Sequence, residues 1–317
     1  MANKLEVTFE TTTLEEKASV LGWSESGNQK RKILRTLVLP EKTLGGKDVV
    51  SIGERAFMIP NDEVQVTKFG IDSPNGMTTV SIPKTVTTVC KQAFAQNALT
   101  TVDLSTFVEI GERAFYGNDL TKAEMPDTLI KLGEGAFATN DITKLRISSG
   151  LTVIPQGAFS MNIRMEAVTI PNTITEICAT AFAGARLTSL EIPKSVTVIG
   201  EKAFHLHHLT ELTIPGNVKE IGDSAFEGTF KATTLSTLVI EEGVEKIGKY
   251  AFKEALLEEV HFPDSITVVG EKPFLNNKGK NGSGIVDVTT KNKKHMEFSD
   301  ATYTIQYIGE EDLVGGW

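Results

Sequence analysis

The chain has 317 residues, 40% of them hydrophobic and 23% charged, with a mean hydropathy near zero, which excludes gross disorder and gross membrane character. No apolar run approaches the roughly 18–20 residues of a membrane-crossing helix, and no apolar stretch follows Met1-Ala2-Asn3-Lys4, so neither a secretory leader nor membrane insertion is expected of this chain. The formal charge of −9 excludes nucleic acid as a partner, because phosphate binding needs a concentrated basic surface and the basic clusters at 30–32 and 291–294 are short.

Residues 1–33 begin with Leu5, Val7 and Phe9 in alternation and continue through apolar positions from Leu14 to Trp23. They are expected to cap the N-terminal end of the region that begins at residue 34, with Trp23 laid over it.

From residue 34 the chain repeats itself. Ala-Phe recurs with its Phe at 57, 94, 115, 137, 159, 182, 204, 226 and 252, and Pro273-Phe274 comes next at the same spacing. Ahead of each Phe stands a segment such as Leu187-Thr188-Ser189-Leu190-Glu191-Ile192-Pro193, and between the two a segment such as Val196-Thr197-Val198-Ile199-Gly200. The distance from segment start to Phe is 17 residues in eight of ten units, 16 in the unit starting at Leu99 and 23 in the first, so this path is nearly invariant. The main insertions, 58–76 and 227–234, fall after the Phe, at one phase of the repeat and hence along one edge of a stack.

The period-2 alternation of L-x-I predicts a short strand with one buried face, ended by Pro, which cannot donate to a ladder. Val and Ile of the second segment are expected to point inward, with Gly permitting a turn there. Small Ala is expected where backbones approach, and the Phe rings are expected to pile into a spine. One such unit buries too little apolar surface to fold alone, whereas stacked neighbours share a core.

Asn97, Asn118, Asn140 and Asn162 stand three residues after successive Phe residues. A stripe for a ligand or calcium is one reading; a ladder satisfying turn backbone is the other, favoured by the absence of clustered carboxylates at ligand spacing. Cys90 and Cys178 sit four units apart at the Gly position, about 19 Å by the ~4.8 Å strand spacing, too far for a disulfide, and are expected as small buried residues. The histidines at 205, 207 and 208 are either a transition-metal site or an exposed turn after Phe204; the turn is the reading adopted, since His261 lies two units away. No nucleophile elbow or phosphate loop is present, so no catalytic residue, cofactor or metal is expected.

The strand frame leaves the third and fifth residues of each segment on the outer face. A basic centre of Lys122, Lys144 and Arg146, flanked by Asp103, Glu124, Glu191 and Glu211, is the candidate ligand-binding face. It lacks the aromatic anchors typical of tight epitopes. After Phe274 the pattern breaks at 276–284, and strands are expected near 285–288 and 302–308. Residues 275–317 are thus a C-terminal cap or the start of a further module, and the end at Trp317 without a sorting motif suggests an ectodomain fragment.

The unit L-T-x-L-x-I-P-x-x-V-x-x-I-G-x-x-A-F resembles the BspA-like, or Treponema pallidum-type, leucine-rich repeat over residues 34–274. Ser105 and Ser148 in place of Pro, and Pro155 in place of Gly, are the departures. The resemblance implies an α/β-type solenoid rich in short strands: a right-handed leucine-rich-repeat superhelix of about ten repeats with a parallel β-sheet on one face. It also implies a non-enzymatic, extracellular or cell-surface protein of bacterial type, adhesin-like, acting as a monomer on a host or cell-surface protein or glycan. A structural spacer that displays another module is the alternative, and a metal-dependent enzyme a third.

Overall fold

In the computed structural model, the described residues are 7–11, 17–23, 36–39, 48–58, 65–67, 70–72, 76–228, 235–298 and 301–308. They fall into two units, one of residues 1–151 and 157–165, the other of residues 152–156 and 166–317. Both are stacks of similar coils.

The V-x-x-I-G segments form the continuous ladders. In the first unit Asp48–Ile52, Thr88–Val89, Glu109–Ile110 and Lys131–Leu132 pair in parallel in chain order. Lys17–Trp23 extends this ladder by pairing in parallel with Asp48–Ile52 and antiparallel with Val7–Thr11. In the second unit six two-residue strands, from Val153–Ile154 to Val268–Val269, run in parallel. Their inward residues, such as Ile177, Ile199 and Ile247, are fully buried, as is Ile110 in the first unit.

The L-x-x-L-x-I segments, where the sequence places the sheet, form it in pieces. Thr36–Val38 pairs with Thr79–Ser81, Lys122–Glu124 with Lys144–Arg146, and Glu211–Ile214 with Thr237–Ile240. Val286–Thr290 joins Glu259–Phe262, and Tyr303–Tyr307 joins Val286–Thr290, all in parallel. Turns make the other connections. Among the described residues the helical segments are the short 3-10 stretches Lys280–Gly282 and Lys293–Glu297.

Phenylalanine rings stack through each unit. Centroids of Phe57, Phe94, Phe115, Phe137 and Phe159 succeed one another at 5.3–6.1 Å, and those of Phe182, Phe204, Phe226, Phe252 and Phe274 at 5.2–5.9 Å, with the ring planes nearly parallel. Each fully buried ring contributes roughly 1.5–3 kcal/mol through burial. Backbone bonds hold the rings in phase: the N–H of Phe115 donates to the Ala136 carbonyl at 2.9 Å, and Phe204 to Ala225 likewise.

Two turn expectations change. The glycine of V-x-x-I-G has an ordinary φ and marks close stacking instead: a Cβ on Gly133 would lie 2.2 Å from the Glu112 nitrogen of the preceding coil. Left-handed backbone falls two residues before each Phe, at Arg55, Gln92, Arg113, Gly135, Gly157, Thr180, Lys202, Ser224, Tyr250 and Lys272, with φ of 50–60°, and again two residues after most of these phenylalanines, as at Gln96, Thr139 and Leu206. Glycine occupies only two of these ten positions.

The expected strands near 285–288 and 302–308 correspond to Val286–Thr290 and Tyr303–Tyr307. The side chain of Trp23 and the residues 59–64, 229–234 and 309–317 lie outside the described set.

Candidate functional site

The strand face is built by alternation. In Lys122–Glu124 the middle residue Ala123 is buried and its neighbours point outward. Parallel pairing sets Lys122 beside Lys144 and Glu124 beside Arg146. Like charges side by side repel, and each is relieved locally where a partner exists. Lys122 Nζ lies 2.7 Å from Glu124. Arg146 Nη2 donates to both carboxylate oxygens of Asp127 at 2.8 Å, while Nη1 donates to the Met125 carbonyl. Hydrogen bonds from Ser149, then Arg146, hold the Asp127 carboxyl below the usual range. Lys144 has no ion-pair partner among the described residues. The basic centre of the first unit is therefore largely neutralised from within.

Asp103 behaves alike. Its carboxylate accepts from Lys84 and from the Ser105 backbone, and the Lys84 bond, followed by Ser105, lowers its pKa to about 2. Sequence reasoning missed Lys84 and Asp127. Each comes directly after a strand-ending Pro and meets the fifth residue of the next segment, 19 residues on, so opposite charges at that offset were the available signal. Ser148, fully buried in place of Pro, donates to the Leu129 carbonyl at 2.7 Å and accepts from the Gly150 N–H.

Among the described residues two grooves open on this face, each where the strand ladder is interrupted. In the first unit Asp103, Lys122 and Glu124 line one of about 500 Å³, with Val80 and Thr101. In the second unit Glu191 and Glu211 line a larger one of about 930 Å³, with Leu190, Thr213 and Val239. The structure thus brings Asp103, Lys122, Glu124, Lys144 and Arg146 together in one unit and places Glu191 and Glu211 in the other.

The asparagines form a buried ladder. Asn118 Oδ1 accepts the N–H of Leu99, the first residue of its own coil, while Nδ2 donates to the carbonyls of Phe94 and Phe115 at 3.0 and 3.1 Å. Asn97, Asn140, Asn162 and Asn277 repeat this arrangement. These side chains satisfy turn backbone.

His207 occupies the same phase and is 3% exposed, so the exposed-turn reading is corrected for it. Its Nδ1 accepts from the Leu209 N–H and its Nε2 lies 3.0 Å from the Phe226 carbonyl oxygen, which sets a neutral ring with the proton on Nε2. Burial lowers its pKa to about 4. His205 is part-buried, 3.9 Å from Glu227, and burial lowers its pKa too. Among the described residues no group of three or more His, Cys, Asp or Glu is placed to hold a metal ion. Cys90 and Cys178 are not joined in a disulfide and are half-buried instead of buried; burial first, then Glu109 and Glu54, raises the Cys90 pKa. No helix among the described residues is long and apolar enough to cross a membrane.

Comparison with known proteins places these coils. The family model described as a BspA type leucine rich repeat region matches in six copies, over residues 72–185, 131–235 and 154–281, well over half of the chain. A leucine-rich repeat protein from Bacteroides ovatus has a similar fold at 20% identity and a TM-score of 0.54, covering 96% of this chain and 98% of its own. The pneumococcal vaccine antigen PcpA (17% identity, TM-score 0.48, 97% and 93% covered) is also similar. So is a leucine rich cell surface protein from Faecalibacterium prausnitzii (16%, 0.44, 96% and 93%). No curated protein matches the sequence significantly. The phenylalanine stack, the parallel two-residue ladders and the matched repeats lead to one assignment: the chain belongs to the BspA-type leucine-rich repeat family.

Proposed function

We propose that this chain is a non-enzymatic, cell-surface or secreted binding protein that engages a protein or glycan ligand, on a host or another cell, through its strand face. The observation that carries this reading is the coincidence of the two surface grooves with the outward third and fifth strand positions, the places where the repeat leaves side chains free to vary. Ladder hydrogen bonds and the buried phenylalanine stack beneath make that face rigid, so a ligand would meet it with little ordering cost. The cell-surface description of the Faecalibacterium protein supports the same placement here. Residues 1–33 and 275–317 are read as caps, supported by the hairpin of Val7–Thr11 with Lys17–Trp23 and by the pairing of Val286–Thr290 with Glu259–Phe262.

The test is capture of the purified chain on arrays of matrix proteins, cell-surface proteins and glycans, with Lys144→Glu and Glu211→Lys as strand-face variants. Retention on a defined partner, reduced by either variant, supports the reading; an array without a single reproducible partner sinks it. The spacer alternative draws on the self-neutralised charges of the first unit, and under it both variants would be silent.

A further inference from the structure

We propose that the Asn281-Gly282 step is a self-modifying site: in the folded protein the Asn281 side chain closes on the backbone nitrogen of Gly282, releases ammonia, and reopens as isoaspartate and aspartate. The modification is independent of the binding function proposed above.

The sequence holds two Asn-Gly steps, at 75–76 and 281–282, and the structure separates them. Gly76 is buried, and a Cβ built on it would lie 2.8 Å from the Ala98 nitrogen, one period on. The next residue is pinned twice: the Met77 N–H donates to Asn97 Oδ1, and the Met77 carbonyl accepts from the Ala98 N–H. The Gly76 nitrogen cannot swing toward a side chain without parting two coils. Around Gly282, by contrast, nothing lies within 4 Å of where a Cβ would stand, and residues 281–285 are all exposed.

The backbone at this step is loosely held. Asn281 has φ 55° and ψ 23° inside the 3-10 stretch Lys280–Gly282, and Gly282 has φ 76°, so both residues are left-handed. One bond restrains the attacking nitrogen, from the Gly282 N–H to the Gly279 carbonyl, and at 3.2 Å it is a long one. The Asn281 amide has no hydrogen-bond partner among the described residues, whereas a ladder amide such as that of Asn118 is bonded at both ends. Rotation about the Asn281 ψ, which glycine at the next position permits, brings the nitrogen to the side-chain carbonyl carbon.

The chemistry needs only water and a base. The base takes the Gly282 amide proton, and the nitrogen attacks Cγ of Asn281. As that bond forms the Cγ–NH2 bond breaks, and the leaving nitrogen takes up a proton and departs as ammonia. Water then opens the cyclic imide. Attack at the side-chain carbon leaves aspartate in an ordinary backbone; attack at the main-chain carbon leaves isoaspartate, with the peptide routed through the side chain. In sum one water enters and one ammonia leaves. Bonds from the Gly279 N–H to the Leu257 carbonyl at 3.0 Å and from the Gly284 N–H to the Lys278 carbonyl at 2.9 Å close the loop at its base. The new charge and the lengthened backbone therefore stay at the loop tip, ahead of the strand Val286–Thr290. Older molecules carry an added negative charge there on an unchanged stack.

The experiment is incubation of the full chain, folded and in urea, at mildly alkaline pH, followed by peptide mapping with mass spectrometry and by labelling with an isoaspartate methyltransferase. In the folded chain, conversion at Asn281 is expected to run at least about tenfold faster than at Asn75, and the two rates should converge in urea. Isoaspartate and aspartate should both appear. Gly282→Ala should slow conversion by about tenfold, because its Cβ restrains the attacking nitrogen. Thermal melting before and after incubation should be unchanged, which places the reaction in the folded protein. Equal rates at the two steps in the folded chain, or an Asn281 that stays intact when folded but converts in urea, overturns the proposal. So does aspartate without isoaspartate, or a Gly282→Ala variant that converts as fast as the parent.

Discussion

The Nε2 of His207 and the carbonyl oxygen of Phe226, in the next coil, stand 3.0 Å apart, whereas the asparagine amides at this phase reach the phenylalanine carbonyl of the preceding coil. The histidine satisfies turn backbone as the asparagines do, but toward the next coil instead of the preceding one, and it can take up a proton. Protonation would convert Nδ1 from acceptor to donor and face it against the Leu209 N–H. Its titratable neighbours, His208 and His205, oppose protonation further.

The pH dependence comes from the direction of that shift. With a folded pKa of about 4 against 6.5 unfolded, the unfolded chain takes the proton first. Stability is complete above pH 6.5 and is lost as pH falls through that interval, by on the order of 2–3 kcal/mol. His207→Asn should flatten this contribution, the amide being able to make the bonds that asparagine makes at this phase in other coils. Urea unfolding of both proteins at about pH 7 and about pH 4 checks it, and equal losses in the two would contradict it.

Asn118→Ala removes an acceptor for the Leu99 N–H and donors to two buried carbonyls without changing any charge. A loss of about 1–3 kcal/mol is expected, since the buried Leu99 N–H loses its acceptor, while the Phe94 and Phe115 carbonyls keep the Asn97 and Asn140 amides. Denaturant midpoints measure it directly. A cost below about 1 kcal/mol would mean that water replaces the amide.

Gly133 and Gly282 should both lose stability on substitution by alanine, but to very different degrees. At Gly133 the new methyl would collide with the backbone of Glu112 and Gly111, which cannot move without parting two coils, so a loss above about 3 kcal/mol is expected. At Gly282 nothing lies within 4 Å and only its φ of 76° resists, a cost of about 1 kcal/mol. Thermal melts of the two variants, compared side by side, test the ordering.

Thr180 is a β-branched residue held at φ 55°, the position that glycine fills at 135 and 157. Thr180→Gly relieves that strain and should raise stability by up to about 1 kcal/mol, partly offset by the added freedom of the unfolded chain. Chemical denaturation decides the sign.

The repeat period made the buried spine legible, because an interval of 17 residues ending in Phe has few ways to fold. The left-handed position was invisible: Arg113, Lys202 and Tyr250 carry no glycine to mark it, and the coil's hydrogen bonds impose it. The two ladders were hard to rank for a similar reason, since strands of two residues such as Glu220–Ile221 carry almost no alternation. The candidate face was legible as a set of outward positions. Its charge balance was not, because Arg146 meets Asp127 and Asp103 meets Lys84 only once coils are stacked. His207 could have been found by counting three residues from Phe204 along the asparagine phase. The cluster with His205 and His208 drew attention to metal chemistry instead.

The asparagine bonds also bear on how such a gene can grow. Asn118 holds the start of its own coil and the phenylalanine carbonyl of the coil before, so each coil that carries the asparagine is tied both to itself and to its predecessor. A duplication that copies one whole period, wherever its breakpoint falls, hands each new asparagine a ready set of partners. A duplication of half a period leaves amides and carbonyls buried without mates. Lineages are therefore free to lengthen the stack by whole coils, while fractional copies are purged.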